Sequence, residues 1–223
     1  MKNPLGISLK TEIVSLIILL ASFAASIYFY MNFPDRVPSH WNWAGEIDGW
    51  SGKAFGAFFL PFLNLGLYLM FLVLPYLDPK KENYKHFANV YHIFKNLIVG
   101  FMAVIYIVTS LNGLGYKVDV GSFVPVMIGV LFIIMGLYMG KLKLNWMMGN
   151  RNMWTLSSEN VWNKTNALTG KTFILSGILI GIEPLIHNKT WVTIIFIVAI
   201  LNILLIPTIY SAILFFREKK NIK

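Results

Sequence analysis

The chain contains no cysteine and little charge. The absence of cysteine from all 223 residues excludes disulfides, thiolate metal sites and cysteine nucleophiles. Charged residues make up only 13% and hydrophobic residues 57%, and the mean hydropathy is +0.63. A transmembrane helix uses about 20 apolar residues, so six of them would leave only short loops in a chain of this length. The composition therefore predicts an integral membrane protein and excludes a sizeable domain outside the membrane.

Six long apolar runs account for most of the chain. Their apolarity is continuous and does not alternate with a period of two, which favours helices over a membrane barrel. The first run is too long for a signal peptide, so we expect it to be retained as a span. We predict an all-α membrane protein in which residues 1–223 form a single polytopic domain. The six predicted spans lie at residues 13–31, 55–77, 97–111, 123–139, 172–186 and 191–216.

The net charge of +9 is unevenly distributed among the segments that join these spans. The two termini together with the second and fourth loops hold 15 of the 19 lysines and arginines, and the other three loops hold 4. The positive-inside rule then places both termini and those two loops in the cytoplasm. The excess charge is explained by this topology, so we predict contact with the lipid bilayer and no direct binding of nucleic acid.

The first outer loop, residues 32–53, is rich in prolines, tryptophans and turn-forming residues. The dipeptide Asp48-Gly49 predicts a tight turn, and Trp41, Trp43 and Trp50 surround a cluster of polar groups. The loop is either a folded recognition cap or an aromatic belt at the membrane interface. The candidate recognition residues are Pro38, His40, Trp41, Asn42, Gly45, Asp48, Gly49 and Trp50.

The two larger cytoplasmic loops both contain helical patterns. In residues 78–96, aromatic side chains recur at helical spacing, which predicts an amphipathic helix on the inner leaflet, with partner docking as the alternative. In residues 141–171, a helix is predicted to begin near Ser157, its expected cap, and to end at Gly170. This second loop is either a short helix packed on the bundle or a partner site. Its candidate residues are Asn145, Arg151, Trp154, Thr155, Glu159 and Trp162, and Arg151 is expected to pair with Glu159 or with lipid phosphate.

Glu183 is the one acid inside a predicted span, three residues from its outer end. An acid in a membrane helix indicates a functional site by default. The alternative is an acid that reaches the outer water layer or pairs with Lys189. The motifs that begin at Gly136 and Gly177, each with a second glycine four residues later, predict faces where helices pack closely within the monomer.

Enzymatic interpretations have little support. The sequence contains no metalloprotease, nucleophile-elbow or phosphate-binding motif. A metal site built from His40, Asp48, Glu183 and His187 is conceivable because all four are predicted to lie outside, but their spacing is not that of metal ligands. We predict a protein that is not an enzyme and has no cofactor.

Two stretches resemble the SdpI family of bacterial membrane proteins. The first is the outer-loop run with His40-Trp41-Asn42 and Asp48-Gly49-Trp50, and the second is a C-terminal signature within about residues 136–170 that includes Trp154-Thr155-Leu156-Ser157. The chain departs from the family pattern at Leu137, where asparagine is common, at Asn150-Arg151-Asn152-Met153, where Ile-Arg-Thr-Pro is usual, and at Asn166, where histidine is frequent.

The resemblance implies a bacterial plasma-membrane protein that protects its producer from a secreted toxin. It also implies signalling by holding a small cytoplasmic repressor at the membrane. In this interpretation the outer loop meets the toxin peptide, and the C-terminal signature reports binding or docks the partner. The alternatives are a transporter of ions or small substrates that uses Glu183 and, with less support, an outer-face metalloenzyme.

Overall fold

The computed structural model of the chain describes residues 3–42 and 45–221. Within this part, six helices are long and apolar enough to cross a membrane. The third and fifth extend beyond the predicted runs at their more polar N-terminal ends. The elements are, in order, α1 (Leu9–Asn32), β1 (Arg36–Trp41), β2 (Ile47–Gly52), α2 (Lys53–Leu77), a 3₁₀ helix (Lys81–His86), α3 (Ala88–Gly113), α4 (Val120–Met139), α5 (Met153–Ser157), α6 (Glu159–Gly181), a second 3₁₀ helix (Glu183–Leu185) and α7 (Lys189–Asn221).

The six long helices form two groups of three. In the first triplet α1, α2 and α3 pack on one another, and in the second triplet α4 packs on α6 and α6 on α7. The triplets meet along α3 and α4. The strands β1 and β2 form a hairpin, and we call its side of the bundle the hairpin end and the other side the opposite end.

Backbone contact between glycines holds α4 against α6. A Cβ atom at Gly136 would lie 2.6 Å from the carbonyl oxygen of Gly170, and one at Gly177 would lie 2.6 Å from that of Gly129. The prediction that these motifs pack within the monomer is confirmed. The prediction that Gly170 ends a helix is wrong, because Gly170 lies inside α6. Its missing side chain serves the approach of two helices and not a helix terminus.

The predicted amphipathic helix on the inner leaflet is also a wrong interpretation. Its aromatic stripe is at most 3% exposed and forms a core at the opposite end, to which both triplets contribute. Helical spacing identifies an apolar face but does not reveal whether lipid or protein covers it. The main side chains of this opposite-end core are Tyr84, Phe87, Tyr91, Phe94, Met139, Leu142 and Trp162.

A buried ion pair ties α1 to α3. The Glu12 carboxylate is 5% exposed and contacts the ammonium group of Lys95, which is fully buried. The Tyr68 hydroxyl of α2 donates a hydrogen bond to the same carboxylate at 3.0 Å, and His92 Nδ1 lies 3.7 Å from it. Glu183 is therefore not the one acid inside a membrane helix. Both members of the pair lie just outside the apolar runs of the sequence, and hydropathy does not reveal that a charge pair is buried.

The first loop is ordered as an antiparallel hairpin, in which Arg36 faces Gly52 and Trp41 faces Ile47. At its tip, the Asn42 side chain accepts a hydrogen bond from the backbone N–H of Glu46 at 3.1 Å. Gly45 adopts a φ of +75°, a conformation that favours glycine. The tight turn predicted at Asp48-Gly49 is wrong, because this dipeptide lies within β2. Trp43 lies outside the described residues.

The hairpin contacts both triplets. Near its base, Val37 is 1% exposed and packs in a small core with Phe33 and with residues of α2 and α3. At its tip, Gly45 lies against Gly121 in the first turn of α4, and a Cβ atom on Gly121 would be 2.6 Å from the Gly45 Cα. The hairpin is thus anchored on the first triplet and reaches the second through a contact between two glycines.

Replacing Lys95 with methionine is expected to destabilise the protein by about 3–5 kcal/mol, because it leaves the Glu12 carboxylate buried without its charge partner. The free energy of unfolding in detergent measures this loss. The exposed Lys85 provides the control, since Lys85→Met removes the same charge without burial and should leave stability unchanged. The double variant Glu12→Leu/Lys95→Met should recover most of the loss. Equal stability of the two single variants would contradict the role assigned to the pair.

Replacing Gly121 with valine is expected to release the hairpin tip from α4, since the new side chain would overlap the Gly45 backbone at a cost of about 1–3 kcal/mol. Amide hydrogen exchange over β1 and β2 should then be faster. Gly52→Ala is the control within the hairpin, because a Cβ atom at Gly52 meets no atom within 4 Å. Unchanged exchange in Gly121→Val would show that the tip contact does not hold the hairpin.

Candidate functional site

A cavity of about 1290 Å³ lies between the two triplets beneath the hairpin. Pockets for small ligands commonly measure about 300–1000 Å³, so this one has room for a segment of a larger molecule. Its roof is the hairpin residues 38–42 together with Gly45 and Glu46. Its walls are largely apolar, with side chains from both triplets that include Phe55, Phe59, Leu60, Ile105, Ile128 and Phe196.

Six titratable side chains line the cavity. Three of them are carboxylates, against a single lysine. Asp119 precedes α4 and accepts hydrogen bonds from Ser122, which hold the pKa of the Asp119 carboxyl below its ordinary value. A carboxylate of this kind stays charged at neutral pH. The titratable residues that line the cavity are His40, Glu46, Asp119, Glu183, His187 and Lys189.

Glu183 is placed in the cavity by the way α6 ends. The α-helix stops at Gly181, and Glu183 and Pro184 then form a short 3₁₀ turn. The side chain is 6% exposed, and its Oε1 atom has no hydrogen-bond partner among the described residues. Lys189 lines the same cavity but forms no ion pair with it in the described part of the chain. Glu183 is therefore a buried acid whose expected partner is not engaged.

The predicted outer-loop residues lie on the hairpin but do not all reach the cavity. His40 Nδ1 lies 2.5 Å from an Asp48 carboxylate oxygen, across the two strands. Gly49 permits this close pairing, because a Cβ atom there would be 2.7 Å from the Cβ of His40. Pro38, His40, Trp41, Asn42 and Gly45 line the cavity, whereas Trp50 is 51% exposed on the other face of the hairpin.

The conceivable metal site is not assembled. In residues 3–42 and 45–221, no three histidine or acidic side chains are grouped closely enough to hold a metal ion. His40 and Asp48 form a pair, but Glu183 and His187 do not join it. The geometry of the described residues thus gives no support to the metalloenzyme alternative.

At the opposite end, half of the candidate partner residues are buried. The Asn145 side chain is fully buried and makes hydrogen bonds to the backbone of residues 143, 147 and 148. The Trp162 indole donates to the Leu142 carbonyl at 2.8 Å, and Thr155 has no exposed surface. These three residues fix the loop after α4 onto the bundle.

Local details of this loop differ from the predictions. Ser158, and not Ser157, caps α6 by accepting a hydrogen bond from the Val161 N–H, while Asn152 caps α5. The Arg151 guanidinium donates to the Trp146 carbonyl at 2.6 Å instead of pairing with Glu159. These partners depend on how the loop folds back on itself, which adjacent residues in a sequence do not specify.

A polar junction connects this loop to the first triplet. The buried Asp78 carboxylate accepts hydrogen bonds from the Tyr84 hydroxyl and from the Trp146 N–H, both at 2.8 Å. Burial and this carboxylate raise the pKa of the Tyr84 hydroxyl, which therefore remains a donor. Sequence reasoning missed Asp78, because an acid directly after a membrane helix resembles an ordinary loop residue.

The remaining surface of this loop is smaller than predicted. Arg151 and Glu159 are exposed and Trp154 is half-buried. Two exposed apolar residues that the sequence analysis did not select lie nearby in the chain, Trp146 at 49% and Met153 at 72% exposure. The buried half of the signature is therefore not accessible to a partner.

Comparison with known proteins identifies both motif regions. Residues 17–65 match a family model described as a domain of unknown function (DUF1648), and residues 141–211 match the SdpI/YfhL protein family. The chain is 28% identical to Immunity protein SdpI of Bacillus subtilis (strain 168) over 203 residues, which cover 91% of this chain and 95% of that protein. No solved structure matches the chain. The resemblance predicted from the two motifs is thereby confirmed, and the chain is a multi-pass membrane protein that is similar to the SdpI/YfhL family over residues 141–211 and to Immunity protein SdpI over most of its length.

Proposed function

We propose that the chain is an immunity protein of the bacterial plasma membrane, which protects its cell by binding a secreted toxic peptide beneath the hairpin. The observation that carries this proposal is the large, mostly apolar cavity with a polar roof. Its roof belongs to the segment that matches the first family model, and the relative of similar length is named an immunity protein. The role is binding and not catalysis.

The proposed topology puts the hairpin end outside and both termini in the cytoplasm. The uneven distribution of lysine and arginine supports this orientation, and it is unchanged when the buried Lys95 is left out of the count. A toxin that arrives from outside would then meet the hairpin and the cavity mouth first. The residues proposed to meet it are Pro38, His40, Trp41, Asn42, Gly45, Asp48, Gly49 and Trp50.

We further propose a signalling role for the exposed surface at the opposite end. Arg151, Trp154 and Glu159 would dock a cytoplasmic repressor, with Trp146 and Met153 beside them. Because α4 and α6 run from the cavity to this surface, toxin binding that favours one packing of the second triplet would alter the docking surface. The resemblance in the C-terminal signature supports this part of the proposal.

The transporter alternative has less support from the described residues. A transport path needs polar groups that face a channel across the bilayer, and Asn64 and Asn202 are instead used between helices. The Asn64 side chain donates to the Val99 carbonyl, and that of Asn202 donates to Thr172 and Ser176. The opposite-end core closes the bundle on the other side of the cavity.

Immunity can be tested in Bacillus subtilis cells that lack their own SdpI. The toxin is supplied as culture supernatant of the bacterium whose genome encodes this chain. Cells that express the chain should survive this supernatant, whereas cells with an empty vector should die. His40→Ala/Trp41→Ala, which truncates two residues that line the cavity, should lower the highest toxin concentration that the cells survive by about tenfold or more, since central contact residues carry most binding energy. Trp154→Ala should leave survival intact. It should alter only the expression of a reporter gene that the proposed repressor controls. Absence of protection by the unmodified chain would refute the immunity function.

The topology can be tested directly because the chain has no cysteine of its own. A single cysteine at Trp50 should react in intact cells with a thiol reagent that does not cross membranes. A single cysteine at Met153, which is similarly exposed at the opposite end, should react only after the cells are opened. The reverse labelling pattern would show that the protein has the orientation opposite to the one proposed.

A further inference from the structure

Two buried acids in this protein, Glu12 and Glu183, have very different surroundings. Glu12 contacts Lys95 and accepts hydrogen bonds from Tyr68 and Thr11. Glu183 is almost equally buried, yet its Oε1 atom has no partner among the described residues. Burying a carboxylate without a partner is energetically costly, and proteins normally avoid it. The cavity that Glu183 lines is therefore where its missing partner would sit.

The charges around the cavity indicate the sign of that partner. Glu46, Asp119 and Glu183 line it, against Lys189 as the one lysine or arginine among the lining residues. Glu46, Asp119, His187 and Lys189 are all exposed, so water screens them, and Glu183 is the buried acid among these lining residues. The buried part of the cavity thus favours a cation.

The chemistry of the walls excludes a bare metal ion and selects an organic cation. A divalent ion needs several oxygen or nitrogen ligands, and the described residues provide no group of three acids or histidines. One carboxylate is sufficient for an ammonium or guanidinium group. The aromatic side chains of Phe55, Phe59 and Phe196 would meanwhile cover apolar neighbours of that group.

We propose that Glu183 is the counter-ion for a lysine or arginine side chain carried on an apolar peptide segment that occupies the cavity. This inference deepens the proposed function and rests on it, because it gives the chemistry of the peptide that is recognised. The hairpin roof would close over the segment, and Asp119 would attract its charge to the mouth. Pairing with the ligand removes the cost of the unpartnered acid, so the binding energy is concentrated at one contact.

The test uses two synthetic probes and the full chain in phosphatidylcholine nanodiscs. One probe is a dansyl-labelled, end-blocked peptide of alanines and leucines with a single central lysine, and the other has norleucine in its place. Binding is measured by dansyl fluorescence, with empty nanodiscs as the baseline. We expect the lysine peptide to bind at least about tenfold more tightly than the norleucine peptide, as for a desolvated charge pair.

Three variants test whether Glu183 causes the preference for the lysine peptide. Glu183→Gln should remove the preference, and Glu82→Gln, which neutralises an exposed acid at the opposite end, should keep it. Glu183→Asp retains the charge and should keep a measurable preference, which guards against a folding defect in the first variant. Equal binding of the two peptides to the unmodified chain, or an undiminished preference in Glu183→Gln, would overturn the proposal.

Two further outcomes separate this inference from its alternatives. Displacement of the lysine peptide by phosphatidylethanolamine in the bilayer would assign the site to an aminolipid headgroup and overturn the peptide assignment. Cells that survive the toxin while the purified chain shows no preference for the lysine peptide would leave the immunity function standing and refute the role of Glu183. Failure of immunity in cells, by contrast, refutes the proposed function whatever the nanodiscs show.

Discussion

The two helix triplets are bound tightly at one end, and the functional part of the molecule depends on this constraint. At the opposite end, aromatic side chains of α3 pack against Met139 and Trp162 of the second triplet, and Asp78 joins the loops of both. At the hairpin end the helices leave a cavity, which the hairpin bridges through its tip contact with Gly121. A bundle whose helices packed equally closely at both ends would contain no such cavity.

The second triplet behaves as one packed unit because α4 and α6 approach to backbone contact. Glycines spaced seven residues apart on each helix, at 129 and 136 and at 170 and 177, let the two backbones touch, and the side chains of Ile133 and Ile174 pack against them. Such packing resists small deformations, since any sliding of one helix past the other would bring side chains into the gap. A ligand between the triplets would therefore move α4 and α6 together, which is the mechanical requirement for signalling between the two ends.

Features set by local composition could be predicted from the sequence, and features set by tertiary contact could not. The six spans and the glycine packing faces follow from apolar length, residue type and spacing, whereas a folded cap and an interfacial belt both remained open for the first loop. The turn position was wrong because Asn42 and Gly45 together provide a better turn than Asp48-Gly49, which β2 absorbs. The Glu12–Lys95 pair was missed because the two residues are 83 positions apart, and each alone resembles a residue that flanks a span.

The two family motifs carry different kinds of information. Asn145, Thr155 and Trp162 of the C-terminal signature are buried and fix a loop on the bundle, so their presence in a sequence indicates this fold more than any particular partner. The outer-loop motif contributes the cavity roof, where side chains face the cavity as well as the protein. Glu183 lies outside the residues that define the two motifs but inside the stretch that matches the SdpI/YfhL family, and the end of α6 positions it. The chemistry of a ligand is therefore better inferred from the side chains that line the cavity than from the buried residues of the signature.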